Sequence, residues 1–268
     1  MMYDSRCCYV CPLIVHVDCF RADCFLRTEQ IKVAFLNVGS GNAEGIPTFV
    51  NTVVVNNIDV VCLAEVAEIG RGDNARGARL LCEKLNQHAR LHARQVTYTC
   101  WYLPSRYALI WRTTGEFQGV QVRAIHDGLG NGRVRYGVFE FIFPKDTLLA
   151  PLTVVLVHLR TKRARGWDVN RIRNAAMPKL KKLILKPNTV VLGDFNMSPE
   201  DLAARSADVG LNLPWPGAIH DYPITTPKGR KLDFIIYKSR VLRSEVVEQA
   251  IADHHMVIAP ITIRRVRH

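Results

Sequence analysis

From Ile31 onward the sequence alternates short apolar runs with polar turns, and no other feature restricts the fold as strongly. The runs have strand length and are rich in Val, Ile, Phe and Tyr, which favour strands. They cover Ile31–Val38, Val60–Leu63, Thr97–Leu103, Ala108–Arg112, Val120–Ile125, Tyr136–Phe143, Leu152–Leu159, Thr189–Leu192, Lys231–Tyr237 and Val257–Ile263. None approaches the ~20 apolar residues that a membrane helix needs. The pattern predicts a strand in each run and no membrane span.

Three segments space their apolar residues at three- and four-residue steps, which is typical of helices. They are Pro47–Asn56, Gly77–Arg94 and Asp168–Leu185. Asp168 would cap the third helix, and Pro178 would kink or restart it. Many strands with few helices predict an α/β fold, a four-layer α-β-β-α sandwich of two packed sheets covered by helices. Because residues 31–268 contain no repeat and no long linker, we expect them to form one domain.

Residues 1–30 differ from the rest of the chain in composition. Five of the eight Cys residues lie in this stretch, at Cys7, Cys8, Cys11, Cys19 and Cys24. Their spacing lacks the paired C-x-x-C pattern of structural zinc motifs, so an unstructured leader is favoured over a zinc site. The apolar stretch Tyr9–Val17 contains a Pro and a His, and no small-residue cleavage site follows it. We therefore expect a Cys-rich leader and an intracellular protein.

The chain is strongly basic, with 36 Lys and Arg against 24 Asp and Glu and a formal net charge of +12 at pH 7. Such an excess attracts polyanions and disfavours neutral or cationic substrates. The charge is concentrated between Pro151 and Val190, and the lysines after residue 178 fit a solvated helix face. A second basic group lies in a loop directly after a strand, where binding sites are common. Its members, which we expect to bind nucleic acid, are Arg160, Lys162, Arg163 and Arg165.

Polar residues stand at the ends of several apolar runs, or inside them. They are Asn37, Glu65, His158, Asp194, Asn196, Asp233, Asp253 and His254. A charged or amide group in a run that should be buried must be paired, bind a metal or face a cleft. Each of them has an ordinary explanation by itself, such as a turn cap, a surface ion pair or a satisfied core histidine. Their recurrence at corresponding strand ends favours a single shared site.

The short elements around these residues follow the order of a known family. Leu36-Asn37-Val38, Leu63-Ala64-Glu65, Val157-His158-Leu159, Gly193-Asp194-Phe195-Asn196, Leu232-Asp233 and Ala252-Asp253-His254 resemble the motifs of the endonuclease/exonuclease/phosphatase superfamily. The resemblance implies the fold of pancreatic-type deoxyribonuclease, with two mainly antiparallel sheets. It also implies hydrolysis of phosphodiesters or phosphomonoesters that depends on Mg²⁺, with Mn²⁺ as a substitute. We expect the protein to be a monomer.

The resemblance and the chemistry of phosphoester hydrolysis together assign roles to these residues. Negative charge accumulates on phosphate oxygens in the transition state, so a hard cation and cationic donors are needed. The expected metal ligands are Asn37, Glu65 and Asp253, whose oxygen atoms suit Mg²⁺. The expected catalytic residues are His158, Asp194, Asn196, Asp233 and His254. Arg135 resembles a phosphate-contacting Arg found at this position in some members.

Two roles within the catalytic set stay open. Asp233 would orient His254, which would accept a proton from the attacking water or position it. In some family members the base role is given to the residue that corresponds to Asp194. His158 would act on the other side of the phosphate, as a hydrogen-bond donor or as the acid for the leaving group. Asp194 and Asn196 would position the water and the phosphate.

The residue type at His158 bears on the substrate. Deoxyribonucleases, sphingomyelinases and related phosphatases have His there, whereas retrotransposon and abasic-site endonucleases typically have Tyr. The net charge of +12 favours a long polyanion, so DNA is the expected substrate and RNA the second choice. A phosphoinositide phosphatase or a sphingomyelinase-like phosphoesterase is the alternative within this fold. A catalytically inactive nucleic-acid-binding module is the alternative from another class, and it would not need a metal carboxylate.

The basic loop supports one prediction. Replacing Arg160, Lys162, Arg163 and Arg165 together by Ala should weaken polynucleotide binding and flatten its salt dependence. Each neutralised phosphate contributes about −0.9 to the slope of log K against log salt for duplex DNA. Binding of a labelled duplex at a series of salt concentrations measures this slope. A slope equal to that of the parent protein would exclude the loop from the interface.

Overall fold

Two six-stranded sheets form the centre of the protein in a computed structural model that describes residues 28–39, 42–66, 69, 74–92, 94–103, 107–126, 136–147, 149–159 and 169–263. The strands are β1 (Glu29–Asn37), β2 (Val60–Ala64), β3 (Tyr98–Leu103), β4 (Tyr107–Arg112), β5 (Gln121–His126), β6 (Tyr136–Ile142), β7 (Leu152–His158), β8 (Thr189–Asp194), β9 (Asp233–Tyr237), β10 (Arg240–Val241), β11 (Glu245–Val247) and β12 (Met256–Ile263). The first sheet has the order β11-β12-β1-β2-β4-β3, and the second has the order β10-β9-β8-β7-β6-β5.

The two sheets have equivalent topologies. In the first sheet β1 and β2 are parallel, and in the second sheet β7 and β8 are parallel. The other strand pairs of both sheets are antiparallel. Each parallel pair therefore ends its strands at the same edge of its sheet. The expectation of two mainly antiparallel sheets is confirmed.

Four α-helices cover the outer faces of the sheets in the described part of the chain: α1 (Ile46–Val55), α2 (Asn74–Leu91), α3 (Val169–Ile184) and α4 (Pro199–Asp208). Side chains of α1 and α2 pack on the outer face of the first sheet. Side chains of α3 and α4 pack on the outer face of the second sheet. This arrangement is the predicted four-layer α-β-β-α sandwich. No described helix is long and apolar enough to cross a membrane.

The central core lies between the sheets and is filled by alternate residues of each strand. In β1, Val33 and Phe35 face this core, whereas Ala34 and Leu36 face the helices outside. The same alternation holds in β7 and β8 of the second sheet. Because both faces of these strands are buried, their sequences are continuous apolar runs rather than alternating ones. This explains why the strands are easily recognised in the sequence.

Each predicted strand and helix has a counterpart among the described residues, with ends that differ by at most three residues. Asp168, the predicted cap of the third helix, lies outside the described residues. The third predicted helix is a single helix, α3, with Pro178 inside it, so it does not restart there. Helix α4 was not predicted, although its N-terminal signals are in the sequence. The Ser198 side chain accepts a hydrogen bond from the Asp201 amide at 3.1 Å, and Pro199 occupies the first turn. Residues 1–27 of the predicted leader, residues 1–30, lie outside the described residues, and Glu29 and Gln30 already belong to β1.

Gly193 has a strict steric requirement at the end of β8. Its φ is +150°, and a Cβ at this position would stand 1.9 Å from the Val157 carbonyl oxygen on β7. Val157 is its direct partner in the parallel pairing of these strands. A side chain here would push β8 away from β7 immediately before Asp194.

Gly193→Ala should therefore destabilise the protein by about 2 kcal/mol or more, since both the φ angle and the contact with the Val157 carbonyl are unfavourable for Ala. Gly217→Ala is the matched control, because nothing lies within 4 Å of a Cβ at Gly217. Chemical denaturation of both variants measures the two free energies of unfolding. Equal free energies of unfolding for the two variants would contradict the prediction, because they would show that the chain accommodates a Cβ at Gly193 without loss of stability.

Candidate active site

Polar side chains of both sheets meet at the edge where the parallel strands end. Each lies two positions after the last inward-facing core residue of its strand, so it points to the same side. Asn37 follows Val33 and Phe35 in β1, His158 follows Val154 and Leu156 in β7, and Asp194 follows Val190 and Leu192 in β8. The alternation of a strand thus directs these side chains into the gap between the sheets. The apolar core ends there and a polar site begins.

Asp194 lies at the centre of this site, because strand register places other site residues on both sides of it. It pairs with His158 across the parallel β7–β8 ladder and with Asp233 across the antiparallel β8–β9 ladder. Asp194 Oδ2 accepts a hydrogen bond of 3.0 Å from Asn37 Nδ2, which joins the second sheet to the first. The same oxygen lies 3.8 Å from His158 Nε2 and 3.8 Å from His254 Nε2.

Asp233 and His254 form a buried hydrogen-bonded pair. His254 Nδ1 lies 2.8 Å from Asp233 Oδ2 and 3.1 Å from Oδ1. A carboxylate can only accept, so Nδ1 carries the proton and Nε2 faces Asp194. The Asp233 side chain is completely buried, and that of His254 is 9% exposed. Burial of Asp233 is tolerated because this imidazole compensates its charge.

Burial sets the protonation of this group. It raises the pKa of the Asp194 carboxyl to about 7, and the charge of Asp233 on the adjacent strand adds to that increase. Burial lowers the pKa of His254, but the charge and hydrogen bond of Asp233 outweigh it and raise the pKa to about 9. His254 therefore holds its proton more strongly than an exposed histidine does. Because Asp194 and His254 interact directly, their protonation equilibria are coupled.

Two of the expected metal ligands, Asn37 and Asp253, lie beside Gly39, and the third, Glu65, follows the adjacent strand. Asn37 Oδ1 accepts a hydrogen bond of 3.2 Å from the Gly39 amide. The Asp253 carboxylate packs on the same glycine so closely that a Cβ there would lie 2.0 Å from Asp253 Oδ1. Glu65 directly follows Ala64, the parallel partner of Asn37 in β2, and its side chain is 25% exposed. Two partly open carboxylates and an amide fit a hydrated Mg²⁺, which keeps several of its waters.

Another group of metal-ligating side chains consists of Asp194, Asp233 and His254, whose ligand atoms lie within 4.8 Å of one another. All three are buried, and both oxygens of Asp233 already face His254 Nδ1. A hydrated cation would need open positions that this arrangement does not offer. The group is better explained as a hydrogen-bonded carboxylate–histidine pair beside a second carboxyl.

His158 lies between the two parts of the site. Its Nδ1 is 3.8 Å from Glu65 Oε1 and its Nε2 is 3.8 Å from Asp194 Oδ2, and the side chain is 14% exposed. The imidazole thus lies between the Glu65 carboxylate and the buried Asp194 carboxyl. Glu65 reaches this position from a left-handed backbone conformation, with φ at 57°.

Asn196 fixes the turn that follows β8. Its amide donates to Asp194 Oδ1 at 2.8 Å, and its side-chain Nδ2 donates to the Leu159 carbonyl at 2.6 Å. Its backbone has φ at 50°. The Asn196 carbonyl accepts a hydrogen bond from the Arg173 guanidinium, which extends from α3. The turn is therefore held on both sides, by the β7 exit and by a helix.

Arg173 supports the candidate site but was not predicted from the sequence, because it lies in the strongly basic stretch between Pro151 and Val190, where another Arg does not stand out. It is 7% exposed, and burial lowers the pKa of its guanidinium. A signal was available, since Arg173 precedes Ala176, Met177, Leu180 and Ile184 at helical spacing on the buried face of α3. A charged residue on an apolar stripe implies an internal partner.

Some predicted residues cannot be placed. The five predicted phosphate- or nucleic-acid-binding residues, Arg135, Arg160, Lys162, Arg163 and Arg165, lie outside the described residues. The other eight predicted site residues are described. Seven of them are joined by the contacts above, from Asn37, Glu65 and His158 to Asp194, Asn196, Asp233 and His254. Asp253 joins them through Gly39.

Comparison with known proteins identifies related sequences and folds. Residues 34–254 match the sequence model of the Endonuclease/Exonuclease/phosphatase family. No curated protein matches the chain. The structure of D. rerio TDP2 complexed with a single-strand DNA product is similar, with a TM-score of 0.51 and 13% identity over 87% of this chain and 98% of that chain. The human nocturnin catalytic domain with bound sulfate has a TM-score of 0.53 and 15% identity over 89% and 97%.

A phosphatase has the same fold. Mannosyl-6-phosphatase from Bacteroides thetaiotaomicron has a TM-score of 0.52 and 15% identity, over 87% of this chain and 99% of that chain. At these identities the likeness concerns the fold, and the three proteins differ in what their names say they act on or bind.

The Arg173 contact leads to a prediction. Arg173→Met should lower the free energy of unfolding by about 1–3 kcal/mol, because the buried Asn196 carbonyl loses its charged donor. It should also lower kcat for phosphoester hydrolysis more than it changes KM. Arg205→Met is the control, since Arg205 bonds to the exposed side of α3 at Asn174. A kcat and a free energy of unfolding for Arg173→Met that both equal those of Arg205→Met would show that the contact with the Asn196 carbonyl does not support the site.

Proposed function

Because this chain belongs to the endonuclease/exonuclease/phosphatase family, whose members are metal-dependent phosphoester hydrolases, we propose that it is a Mg²⁺-dependent nuclease that hydrolyses DNA. One observation carries the proposal: the cross-sheet bond between Asn37 and Asp194 joins an oxygen-rich cation site to a buried carboxylate–histidine site. Phosphodiester hydrolysis by water uses both parts. A protein that only binds nucleic acid needs neither.

Asn37, Glu65 and Asp253 would hold the cation. A divalent ion bound there supplies positive charge beside the phosphate oxygens as negative charge develops on them. The protein residues keep their own tasks around this position. Asn37 donates a hydrogen bond from Nδ2 to Asp194 and so connects the cation site with the buried carboxyl. Glu65 places its carboxylate beside His158.

The buried residues of the site would orient the attacking water and accept its proton. Asp233 fixes the ring of His254, so Nε2 always faces the site beside Asp194 Oδ2. Asp194 and His254 act as one proton-handling unit, in which one group orients the water and the other takes its proton. Asn196 keeps the Asp194 carboxylate in position through its amide. His158 would donate to a non-bridging oxygen or protonate the leaving group.

Charge favours a polynucleotide as substrate. The net charge of +12 gives the protein a field that attracts a long polyanion more than a single phosphate group. D. rerio TDP2, which has this fold, was solved with a single-strand DNA product. DNA is our first choice and RNA the second. The mannosyl-6-phosphatase of the same fold makes a phosphomonoester the competing substrate.

Removal of Asp233 and of His254 should not be additive. His254→Ala should reduce kcat on the order of a thousandfold, because it removes both proton handling and positive charge. Asp233→Asn should cost less, and the double variant should be scarcely worse than His254→Ala, since the two residues work as one unit. His158→Ala should add a further loss, because His158 contacts Glu65 as well as Asp194 and is not part of the Asp233–His254 pair. If the reduction of kcat in the double variant equals the product of the two single reductions, Asp233 does not act through His254, and its proposed role in catalysis is wrong.

Glu65→Gln should abolish turnover that depends on Mg²⁺ while the protein stays folded, because it removes one of the charged ligands of the cation site. A plasmid-nicking assay with Mg²⁺, and with EDTA as the blank, measures the activity. Glu83→Gln on the exposed face of α2 is the matched control and should keep full activity.

The same enzyme preparation is tested on RNA, a phosphoinositide, sphingomyelin and a sugar phosphate. Nicking that is lost with EDTA and with Glu65→Gln supports the nuclease proposal. Release of inorganic phosphate or phosphocholine without nicking would replace it by the corresponding phosphoesterase. Absence of turnover on all substrates, together with DNA binding, would make the protein a binding module.

A further inference from the structure

A groove of about 720 Å³ lies on the outer face of the second sheet, between helix α3 and strands β5 and β6. Its apolar part includes Ile125 and Val138 on the strands and Leu183 on α3, and Glu140 and Thr153 also line the strand side. Val138 belongs to the core beneath α3, whereas Ile125 on β5 stays 53% exposed. Helices α3 and α4 pack over the β7, β8 and β9 side of this sheet. The groove is the space beside α3 that no described helix fills.

One wall of the groove is a row of lysines. Lys179 and Lys182 lie three residues apart on α3, and Lys186 follows in the turn after α3 ends; all three are exposed. Among the residues that line the groove, Glu140 is the single acid, and it is ion-paired to Arg123 at 2.5 Å. A ligand that matches this groove combines apolar side chains with acidic groups.

The groove and the candidate active site lie on different faces of the second sheet. At the far end of the groove, Lys186 lies three residues before β8, and Asp194 is the last residue of that strand, so β8 alone separates the two by roughly 16 Å. At the near end, Val138 pairs with Val155, three residues or about 10 Å before His158. Because Val138 lies on the outer face of the sheet and His158 continues the inward-facing series of β7, an occupant of the groove would leave the phosphoester site open.

We propose that this groove binds an amphipathic helix of a partner protein, with acidic residues along one side of its apolar stripe. The apolar stripe would cover Ile125 and Leu183, and the acidic side would face Lys179, Lys182 and Lys186. The helix would occupy the vacant place beside α3, at the 8–10 Å spacing typical of packed helices. A nucleic acid would match the lysines but not the apolar side chains, and a flat membrane would not enter a groove.

The test uses a labelled peptide of about 16 residues, the length of α3, with Leu at helical spacing and Glu beside it. Fluorescence anisotropy measures its binding to the full-length protein. A second peptide has Gln in place of each Glu and should bind about tenfold more weakly. Lys182→Glu/Lys186→Glu should lose binding of the acidic peptide by at least about tenfold, since attraction becomes repulsion. Lys84→Glu/Arg90→Glu on α2 is the matched control and should bind like the parent.

Ile125→Ser, which changes no charge, tests the apolar contact independently of the lysines and should also lose binding, while all variants keep the parental rate of phosphoester hydrolysis on a short substrate. The proposal is overturned if the acidic peptide does not bind, or if the α2 control loses binding equally. It is also overturned if Ile125→Ser binds like the parent. Binding of a short DNA duplex or of phosphatidylserine vesicles that only the lysine variant loses would make the groove a polyanion surface instead. Because binding is read without turnover, its failure is distinguishable from failure of the nuclease proposal.

Discussion

Packing of the two sheets face to face is the constraint on which the rest of the structure depends. Inward side chains of both sheets must fill one shared core, so the alternation of each central strand is fixed in register with the others. Two positions after the last core residue of such a strand, the next side chain again points inward, and there it meets polar side chains instead of the apolar core. Asn37, His158 and Asp194 occupy these positions. The geometry of the candidate active site is thus a consequence of core packing.

This arrangement places like charges close together, which has a cost. Asp194 and Asp233 are direct cross-strand neighbours, and both are almost completely buried. Two carboxylates in this position repel each other, and burial adds to the penalty of charging them. The raised pKa of Asp194 reflects both effects. The His254 imidazole compensates Asp233, and the Asn37 amide and the Asn196 backbone amide bond to Asp194. The packed strands keep the two carboxyls next to each other despite their repulsion. Shifted pKa values of this kind are common at functional sites.

The sequence was informative where burial leaves a simple pattern. Strands buried on both faces appear as continuous apolar runs, so their positions followed from the sequence pattern. A polar residue in such a run indicated the candidate site. The register that puts Asp194 between His158 and Asp233 could not be derived in this way, because strand order depends on contacts between distant segments. Arg173 was missed since a basic residue in a basic segment looks solvated. Its buried contact to Asn196 depends on how α3 sits on the sheet.

Backbone conformation explains how two residues outside the regular alternation join the site. Glu65 comes one position after the inward-facing Ala64, so continued strand geometry would direct it away from the gap between the sheets. Its left-handed φ of 57° breaks that alternation, and its carboxylate lies beside His158. Asn196 has a φ of 50° two residues after Asp194 and turns its amide back to that carboxylate. Left-handed non-glycine residues cost of order 1 kcal/mol each. The packed strands on either side determine these turns, so the fold's stability maintains conformations that serve the site rather than the core.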